Sequence, residues 1–380
     1  MPAFGTPVQA AVKHMAQRSM KIAVRVDASF YIGTGHVMRC LTLSDELGKH
    51  GGEIFFICQE IEGNLIGFIE SKGYRVFSIP ENRGEPYRPG FNESDFDWNS
   101  DARQSCEILQ KYVDEIDLLV VDHYALDINW ETRVSQYANR IMVIDDLANR
   151  KHKCDLLLDQ NFYEDMHERY NTLIPEHCIK LTGPQYVLLR AEFAKMRRCL
   201  GEKSGFLNRI LVFFGGSDPS NESVKVLKAI LSLNKHNLTV DVIIGKNNKF
   251  NEEIELLVAG NPQISCYIWT NDMARLMREA DLFIGAAGTS TWERCCLGLP
   301  ALIVTIAENQ VLATRALAEN GMVWYLGKNT NVKEKDIKDA LQQCLDSPAI
   351  LQGMAKKSLE LVDGMGVERC AAIIRTLQTN

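Results

Sequence analysis

Short runs of β-branched and other apolar residues recur through the first half of the chain, and most are separated by segments in which apolar positions follow helical spacing. These runs predict strands at Lys21–Asp27, Ile54–Cys58, Arg75–Ile79, Leu118–Asp122, Ile141–Asp145 and Leu156–Asp159. Between the first two, Val37–Lys49 has the spacing of an amphipathic helix. Apolar runs without strict alternation, joined by helices, are typical of a parallel sheet that is covered on both faces. The first half is therefore predicted to be a doubly wound α/β domain.

The same alternation begins again after residue 206. Strands are predicted at Ile210–Phe214, Val240–Gly245, Ile264–Ile268, Leu282–Gly285 and Leu302–Thr305, and helices at Glu222–Leu233, Met273–Glu279 and Thr291–Leu297. Between the halves, the polar and glycine-bearing segment Met196–Gly205 is typical of a linker between domains. The predicted boundaries are a disordered extension at 1–19, an N-terminal domain at 20–196, a linker at 197–206, a C-terminal domain at 207–361 and a terminal helix at 362–380.

The predicted fold class is α/β, with two Rossmann-like domains in tandem. A chain of 380 residues is longer than one hydrophobic core usually supports, so its length agrees with two domains. Ligands of open α/β sheets bind at the carboxyl ends of the strands, and two such domains place these ends on facing edges. We therefore expect the functional side chains at strand ends, in a cleft between the domains.

Composition narrows the class of function. The formal net charge of -7, without a stripe of lysine and arginine, argues against a nucleic-acid-binding surface. No stretch reaches the ~18 to 20 apolar residues that a membrane span requires, and residues 1–19 lack the apolar core of a secretory signal. The eleven cysteines form no CxxC pair, which is typical of reduced thiols. We expect a cytoplasmic protein with no nucleic-acid partner and no membrane insertion.

A glycine-bearing loop follows the first predicted strand and leads directly into a helix. Gly33 and Gly35 let the backbone turn tightly and leave N–H groups at the helix start, where anions are favoured. The loop lacks the third glycine of a dinucleotide-binding fingerprint, and no acidic residue closes a clear second strand at the expected distance. A nicotinamide cofactor is therefore not expected, and the GxG pattern by itself is weak evidence for a site.

His36 lies in the first turn of that helix, where its imidazole would point into the predicted cleft. A neutral imidazole is suited to taking a proton from water near pH 7. Asp27 and Ser29 at the strand end can orient the ring, and Asp122-His123-Tyr124 ends another strand at the same edge. The alternative is a capping or core histidine, and Asp122 and Asp145–Asp146 can equally cap the turns that follow their strands.

Two loops of the second half also stand between a strand and a helix. They contain Gly215-Gly216-Ser217 and Gly288-Thr289-Ser290, and their backbone N–H groups suit a diphosphate. Glu293, on the first turn of the second helix, can accept hydrogen bonds from both hydroxyls of a ribose, and the amide pair Asn309-Gln310 suits a sugar or a base edge. The alternative is that these glycines serve only as turns.

The sequence gives no reason to expect a metal ion or another cofactor. The eight histidines are dispersed, and no HxxH, HExxH or mixed cysteine and histidine cluster occurs. The DxD pattern Asp95–Asp97 lies in the acidic, turn-rich loop 81–100 and not at a strand end, so we interpret it as solvated surface. A GxSxG elbow and a Walker loop are also absent.

At these motifs the sequence resembles a known family, the UDP-sugar hydrolases of pseudaminic acid biosynthesis. The matching motifs are RVDAS, IGTGHVMR, VVDHY, the pair Asp145–Asp146, YVLLRAEF, FFGGSD, GTSTWE, AENQ and DGMGVER, and they run from about Met20 to Cys370 in the expected order. FFGGSD has serine where threonine is expected, which keeps the hydroxyl. The family is similar in fold to the lipid II-forming N-acetylglucosaminyltransferase.

The resemblance implies a GT-B fold in which the C-terminal domain holds most of the UDP and the sugar faces the N-terminal domain. It implies that His36 is the catalytic base, that Glu293 and Asn309 bind substrate and that Arg190 lies near the cleft. The implied substrate is UDP-2,4-diacetamido-2,4,6-trideoxy-β-L-altropyranose, with UDP as a product. The full predicted set of substrate and UDP contacts is Asp27, Gly33, Gly35, Arg39, Tyr124, Arg190, Gly215, Gly216, Ser217, Gly288, Thr289, Ser290, Glu293, Asn309 and Gln310.

The expected reaction is a metal-independent hydrolysis with inversion at the anomeric carbon. His36 would take a proton from the attacking water, and the two glycine loops of the second half would hold the departing diphosphate. The alternatives are a glycosyltransferase of the same fold, in which His36 activates an acceptor hydroxyl, and a UDP-sugar binding module without catalysis. A related UDP-amino sugar is also an open possibility, because one sequence does not fix the stereochemistry of the sugar.

Overall fold

The computed structural model describes residues 19–30, 32–81, 96–112, 116–201, 204–216, 218–245, 248–268, 270 and 272–377. Some predicted features lie outside these ranges. They are residues 1–18 of the predicted extension, most of the 81–100 loop with Asp95, residues 202–203 of the predicted linker, and Ser217.

The first half forms a seven-stranded parallel sheet with the strand order β3-β2-β1-β4-β5-β6-β7. Its strands are β1 Lys21–Val26, β2 Glu53–Gln59, β3 Arg75–Ile79, β4 Leu118–Asp122, β5 Ile141–Ile144, β6 Leu156–Asp159 and β7 Ile179–Thr182. The central strands are buried along their whole length, as in the LLVVD sequence of β4. Such strands lack alternation because helices cover both faces of the sheet.

The second half repeats this design with a six-stranded parallel sheet in the order β10-β9-β8-β11-β12-β13. Its strands are β8 Arg209–Phe213, β9 Thr239–Ile244, β10 Ile264–Ile268, β11 Leu282–Gly285, β12 Ala301–Thr305 and β13 Trp324–Lys328. In both sheets the strand order reverses beside the first strand, and this reversal opens a crevice at the carboxyl edge.

Helices cover both faces of each sheet. In the first half these are α1 Gly35–Lys49, α2 Ile66–Ser71, α3 Trp98–Tyr112 and α4 Ile128–Val134, followed by α5 Ala191–Arg198 at the crossing. The second half contains α6 Glu222–Leu231, α7 Asn251–Ala259, α8 Met273–Glu279, α9 Ser290–Cys296, α10 Asn309–Glu319, α11 Glu334–Asp346, α12 Pro348–Leu361 and α13 Gly366–Thr376. Each sheet separates two apolar clusters, one on either face.

Every strand predicted from the sequence is present, with ends that differ by at most one residue. Two strands were not predicted, β7 and β13, and both lie at sheet edges. Their sequences IKLT and WYLGK are only partly buried, because an edge strand has a neighbour on one side only. The prediction of two Rossmann-like α/β domains is confirmed.

The chain crosses between the halves twice, and each crossing leaves a helix on the other half. Helix α5 packs against α8 and α9 of the second half, with Phe193 in the core there, while α13 returns to pack against α1. A Cβ on Gly366 would lie 2.3 Å from the carbonyl oxygen of Val187, so only glycine permits this close approach of the two crossing segments. Arg369 donates to the carbonyl oxygen of Gln185 at 2.8 Å beside it. The DGMGVER motif therefore builds the second crossing.

Over the residues described, none of the helices combines the length and the apolar character needed to cross a membrane.

Candidate active site

The loop between β1 and α1 brings His36 to the carboxyl edge of the first sheet. Gly33 has φ +79°, a backbone conformation that favours glycine, and its N–H donates to the carbonyl oxygen of Ser29 at 2.9 Å. A Cβ on Gly35 would lie 3.0 Å from Cγ2 of Thr289 in the second half. The structure thus places the first glycine loop directly against the Gly288–Ser290 loop.

Asp122, at the end of β4, orients the imidazole of His36. Nδ1 of His36 lies 2.6 Å from Oδ1 of Asp122, and the Asp122 side chain is fully buried. Burial alone would raise the pKa of Asp122, but Arg39 and then His36 stabilise the carboxylate, so its pKa lies well below the usual range. An ionised Asp122 can only accept, so Nδ1 carries a proton, and in the neutral form of the ring Nε2 is the nitrogen with the lone pair. His36 therefore has the form of a base whose ring is fixed by a carboxylate.

Asp27 and Ser29, which the sequence offered as partners for the ring, have other hydrogen-bond partners in the structure. The Asp27 carboxylate accepts from both terminal nitrogens of Arg25, at 2.7 and 2.8 Å. It also lies 3.2 Å from Nε2 of His123, while the Ser29 hydroxyl accepts from the Ile32 N–H. Arg25 is fully buried and needs a fixed anion, so Asp27 belongs to a structural ion pair beneath the loop. The expectation that Asp27 orients His36 was wrong, and a role of Ser29 stays a prediction.

Arg39 lies one helical turn after His36 and contacts the same aspartate. Its Nε donates to Oδ2 of Asp122 and its Nη2 to Oδ1, both at 2.6 Å, and its Nη1 donates to Asp146 at 3.2 Å. All three guanidinium nitrogens thus have carboxylate partners, and the side chain is 5% exposed. A substrate contact by Arg39 stays a prediction.

Tyr124 meets the His36 ring edge-on, with ring centroids 4.7 Å apart.

Glu293 and Arg190 meet across the boundary between the halves. Nη2 of Arg190 donates to Oε1 of Glu293 at 3.1 Å, and Nη1 of Arg190 pairs with Glu192 at 2.8 Å. The Glu293 side chain is 17% exposed. Burial raises the pKa of its carboxyl, and the Arg190 guanidinium opposes that change. Glu293 is therefore held in place through Oε1 by a residue of the first crossing.

The start of α6 is already capped by the protein itself. The carboxylate of Asp218 accepts from the N–H groups of Glu222 and Ser223, both at 2.9 Å. The sequence predicted that backbone N–H groups here would hold a diphosphate, but these two have an internal partner. Gly215, which is half-buried with φ +87°, and the exposed Gly216 are the part of this loop whose backbone can still meet a ligand.

This cap gives a direct prediction for stability. We expect Asp218→Ala to lower the free energy of unfolding by about 1 to 2 kcal/mol, because two N–H groups lose their acceptor. Asp218→Asn keeps one acceptor oxygen and tolerates the observed φ of +38°, so it should lose less. Urea unfolding followed by circular dichroism measures both variants. Equal stability of Asp218→Ala and the parent protein would show that the cap contributes nothing.

The two amide side chains at the start of α10 lie in different environments. Asn309 is exposed, whereas Oε1 of Gln310 accepts from the N–H of Ile306 at 3.1 Å. Asn309 is therefore open to a ligand, and Gln310 mainly fixes the loop after β12. Thr289 and Gly288 are exposed beside them, and Ser290 is buried.

Sequence reasoning missed two pairings that define the geometry. It named Asp122 only as one of several strand-end aspartates, and it did not connect Arg190 with Glu293. The signal for the first was the DHY sequence at the end of a fully apolar strand. No sequence signal linked the second pair, which are 103 residues apart. Over the described parts of the chain, the structure shows no cluster of three or more histidine, cysteine, aspartate or glutamate side chains suited to a metal ion.

Comparison with known proteins gives three sequence relatives. The chain is 26% identical over 292 residues to an uncharacterized protein of Methanocaldococcus jannaschii, a match that covers 75% of this chain and only 55% of that relative. It is 26% identical to the spore coat polysaccharide biosynthesis protein SpsG of Bacillus subtilis, over 94% of this chain and 98% of that protein. It is 25% identical to the UDP-2,4-diacetamido-2,4,6-trideoxy-beta-L-altropyranose hydrolase of Campylobacter jejuni, over 80% and 97%.

Solved structures share the architecture at low sequence identity. MurG of Acinetobacter baumannii superposes with a TM-score of 0.64 at 14% identity, covering 94% of this chain and 99% of that one. The UDP-GlcNAc 2-epimerase of Neisseria meningitidis superposes with a TM-score of 0.65 at 14% identity, covering 95% and 100%. Residues 210–368 match the glycosyltransferase family 28 C-terminal domain. The chain therefore has the GT-B fold of two Rossmann-like domains.

Proposed function

We propose that the protein hydrolyses a UDP-linked amino sugar, breaking the bond between the anomeric carbon and the oxygen of UDP. The observation that carries this proposal is the buried His36–Asp122 pair, next to Gly35, which lies against Thr289 of the second half. We propose UDP-2,4-diacetamido-2,4,6-trideoxy-β-L-altropyranose as the substrate, and the 25% identical Campylobacter jejuni hydrolase supports that choice. The products are UDP and the free amino sugar, which serves pseudaminic acid biosynthesis.

In the proposed step, Nε2 of His36 accepts a proton from a water molecule while Asp122 holds the opposite nitrogen. The water oxygen forms a bond to the anomeric carbon on the face opposite UDP. The carbon–oxygen bond to UDP breaks, and its electron pair leaves with the β-phosphate. Attack from the opposite face inverts the anomeric centre. UDP leaves as a stabilised anion, so a second carboxylic acid of the kind used by ordinary glycosidases is not needed.

The nucleotide is proposed to lie mainly on the second half. Oε2 of Glu293 can accept from a ribose hydroxyl while Arg190 holds Oε1. The backbone of Gly215–Gly216 and of the exposed Gly288–Thr289 is proposed to meet the diphosphate, with Ser217 and Ser290 as further predicted contacts. Gly33, Gly35 and Tyr124 line the sugar side next to His36, and Asn309 faces the cleft from α10.

We expect the reaction to need no divalent metal. The proposed base is an imidazole that a carboxylate orients, and such a group accepts a proton from water without a Lewis acid. Activity should be unchanged after dialysis against EDTA, measured by UDP release. Loss of activity that Mg²⁺ or Mn²⁺ restores would instead assign a metal role to the strand-end aspartates.

The eleven cysteines are free thiols, which supports a cytoplasmic location.

A glycosyltransferase is the second candidate, favoured by the family 28 match over residues 210–368. In that reaction His36 would deprotonate an acceptor hydroxyl rather than water. The purified protein should be incubated with a panel of UDP-amino sugars without any acceptor, and both UDP and free sugar measured. We expect both products in equal amounts, with the diacetamido-trideoxy sugar turned over fastest. UDP release that appears only when an acceptor is added would favour the transferase.

A further inference from the structure

Arg39 faces His36 as well as the aspartate that orients it. Nη2 of Arg39 lies 3.2 Å from Nδ1 of His36 and 2.6 Å from Oδ1 of Asp122, so the imidazole and the guanidinium share one carboxylate oxygen. Arg39 continues through Nη1 to Asp146 at 3.2 Å. The result is a row of groups with alternating charge, which runs from His36, the proposed base, to Asp146, which follows β5.

The charges in this row act on the protonated imidazole in opposite directions. Asp122 stabilises an imidazolium at His36, because opposite charges attract at short range and burial weakens screening. Arg39 disfavours the imidazolium in two ways. Its positive charge repels the positive charge of the ring, and it also offsets part of the Asp122 charge that would otherwise stabilise the ring. Burial opposes a charge on Arg39, but Asp122 and then Asp146 hold the pKa of Arg39 above its usual range, so it is always a cation.

We propose that Arg39, held by Asp146, is a positioning residue that limits how strongly Asp122 stabilises the protonated ring of His36. This inference rests on the proposed hydrolysis, because only a base must lose its proton before it can act. Asp122 alone would fix the ring but would also keep it protonated to higher pH. With Arg39 in place, the carboxylate can orient the ring while the imidazole gives up its proton more readily.

Other ionisable groups also lie near this row, and the charge of Asp146 contributes to the raised pKa of one of them, Asp159. Cys40 donates to Oδ2 of Asp122 at 3.5 Å, and burial raises the pKa of its thiol, so it stays protonated. On the far side of Asp146, burial raises the pKa of Asp159 to about 7, and Arg169 pairs with it at 2.6 Å. Tyr124 is the remaining ionisable neighbour that contacts the His36 ring.

The test is an NMR titration of the His36 imidazole in the full-length protein without substrate, with His36→Asn used to assign the signal. We expect the titration midpoint to rise by about 1 to 2 pH units in Arg39→Gln, because a repelling cation within contact distance is lost. Asp146→Asn should move the midpoint downward by less, because it removes an anion that offsets Arg39. Arg39→Lys keeps the charge, so its midpoint should lie closer to that of the parent protein.

Arg140→Gln is the matched control. It also removes one positive charge from the first half, but Arg140 precedes β5 at the opposite edge of the sheet, where it pairs with Asp155. We expect its His36 midpoint to stay within about 0.2 pH unit of the parent value, because distant exposed charges are screened. A midpoint that stays in place or falls in folded Arg39→Gln would overturn the proposal. If that variant does not fold, a midpoint in Asp146→Asn that stays in place or rises would do the same.

Kinetics separate this inference from the proposed function. The acid limb of the pH profile of kcat/KM for UDP release should move to higher pH in Arg39→Gln and recover toward the parent position in Arg39→Lys. A purely structural role for Arg39 would lower the rate at every pH without moving that limb. Retained turnover in His36→Asn contradicts the proposed role of His36 as the base, whereas an unchanged NMR midpoint contradicts only the role of Arg39.

Discussion

Replacing His36 with asparagine should lower UDP-sugar hydrolysis by at least ~10²-fold and leave the affinity for UDP within a few-fold of the parent value. The side chain of His36 is held by Asp122 at 2.6 Å, so its free nitrogen has one fixed direction for accepting a proton. A general base acts on water and makes no contact that the nucleotide needs, so binding and turnover should separate. Turnover is measured by UDP release and affinity by titration calorimetry.

His177→Asn is a suitable control for this substitution. The His177 side chain is 67% exposed and pairs loosely with Asp155 at 3.7 Å, away from the carboxyl edge of the sheet. It should hydrolyse the substrate at the parent rate. A folded His36→Asn protein with the parent rate would remove His36 from the reaction, and an equal loss in both variants would point to a general effect of histidine replacement.

The second large effect is expected on nucleotide binding, from Glu293→Ala. Loss of a charge-assisted hydrogen-bond pair typically costs ~1.5 to 3 kcal/mol, so UDP binding should weaken by roughly 10 to 150-fold. The variant also leaves Arg190 without one of its two carboxylate partners. Glu293→Ala should weaken binding of 2′-deoxy-UDP much less, because that ligand has already lost one of the two hydroxyls.

Titration calorimetry of the full-length protein with UDP and with 2′-deoxy-UDP tests whether Glu293 binds the ribose. Glu192→Ala is the control, because it removes the other carboxylate partner of Arg190 and leaves Glu293 in place. It should bind UDP within a few-fold of the parent protein. An equal loss for UDP and 2′-deoxy-UDP in Glu293→Ala would place the ribose elsewhere, and a large loss in Glu192→Ala would shift the nucleotide role to Arg190.

The buried strands were the most predictable part of the fold. A strand such as β4 is apolar throughout because both of its faces are covered, and few other structures produce that pattern. The edge strands β7 and β13 were missed because their sequences IKLT and WYLGK are short or mixed, whereas the edge strands β3 and β10, RVFSI and ISCYI, have enough apolar and β-branched positions to be predicted. The sequence predicted a linker and a terminal helix, but it did not indicate how α5 and α13 pack, because that depends on contacts between distant segments. A fragment cut at residue 205 would lose α5, whose Phe193 is fully buried in the second core.

At the site, the sequence predicted where the functional residues lie better than which side chains contact each other. The sequence placed His36, Asp27 and Asp122 at one sheet edge, since all three follow or end parallel strands. It did not distinguish which aspartate meets the ring, because Asp27 and Asp122 stand on adjacent strands and only side-chain direction separates them. The cap on α6 was not predicted for the same reason, since only the direction of the Asp218 side chain shows that its carboxylate turns back to the helix.

The central claim is that water attacks the anomeric carbon, and oxygen-18 water tests it most directly. The substrate is turned over in labelled water, the reaction is quenched early, and both products are analysed by mass spectrometry. We predict that the label enters the free sugar and that UDP carries none, because the bond that breaks joins the anomeric carbon to oxygen. Label in the β-phosphate of UDP would show cleavage at phosphorus and contradict the proposed role of His36.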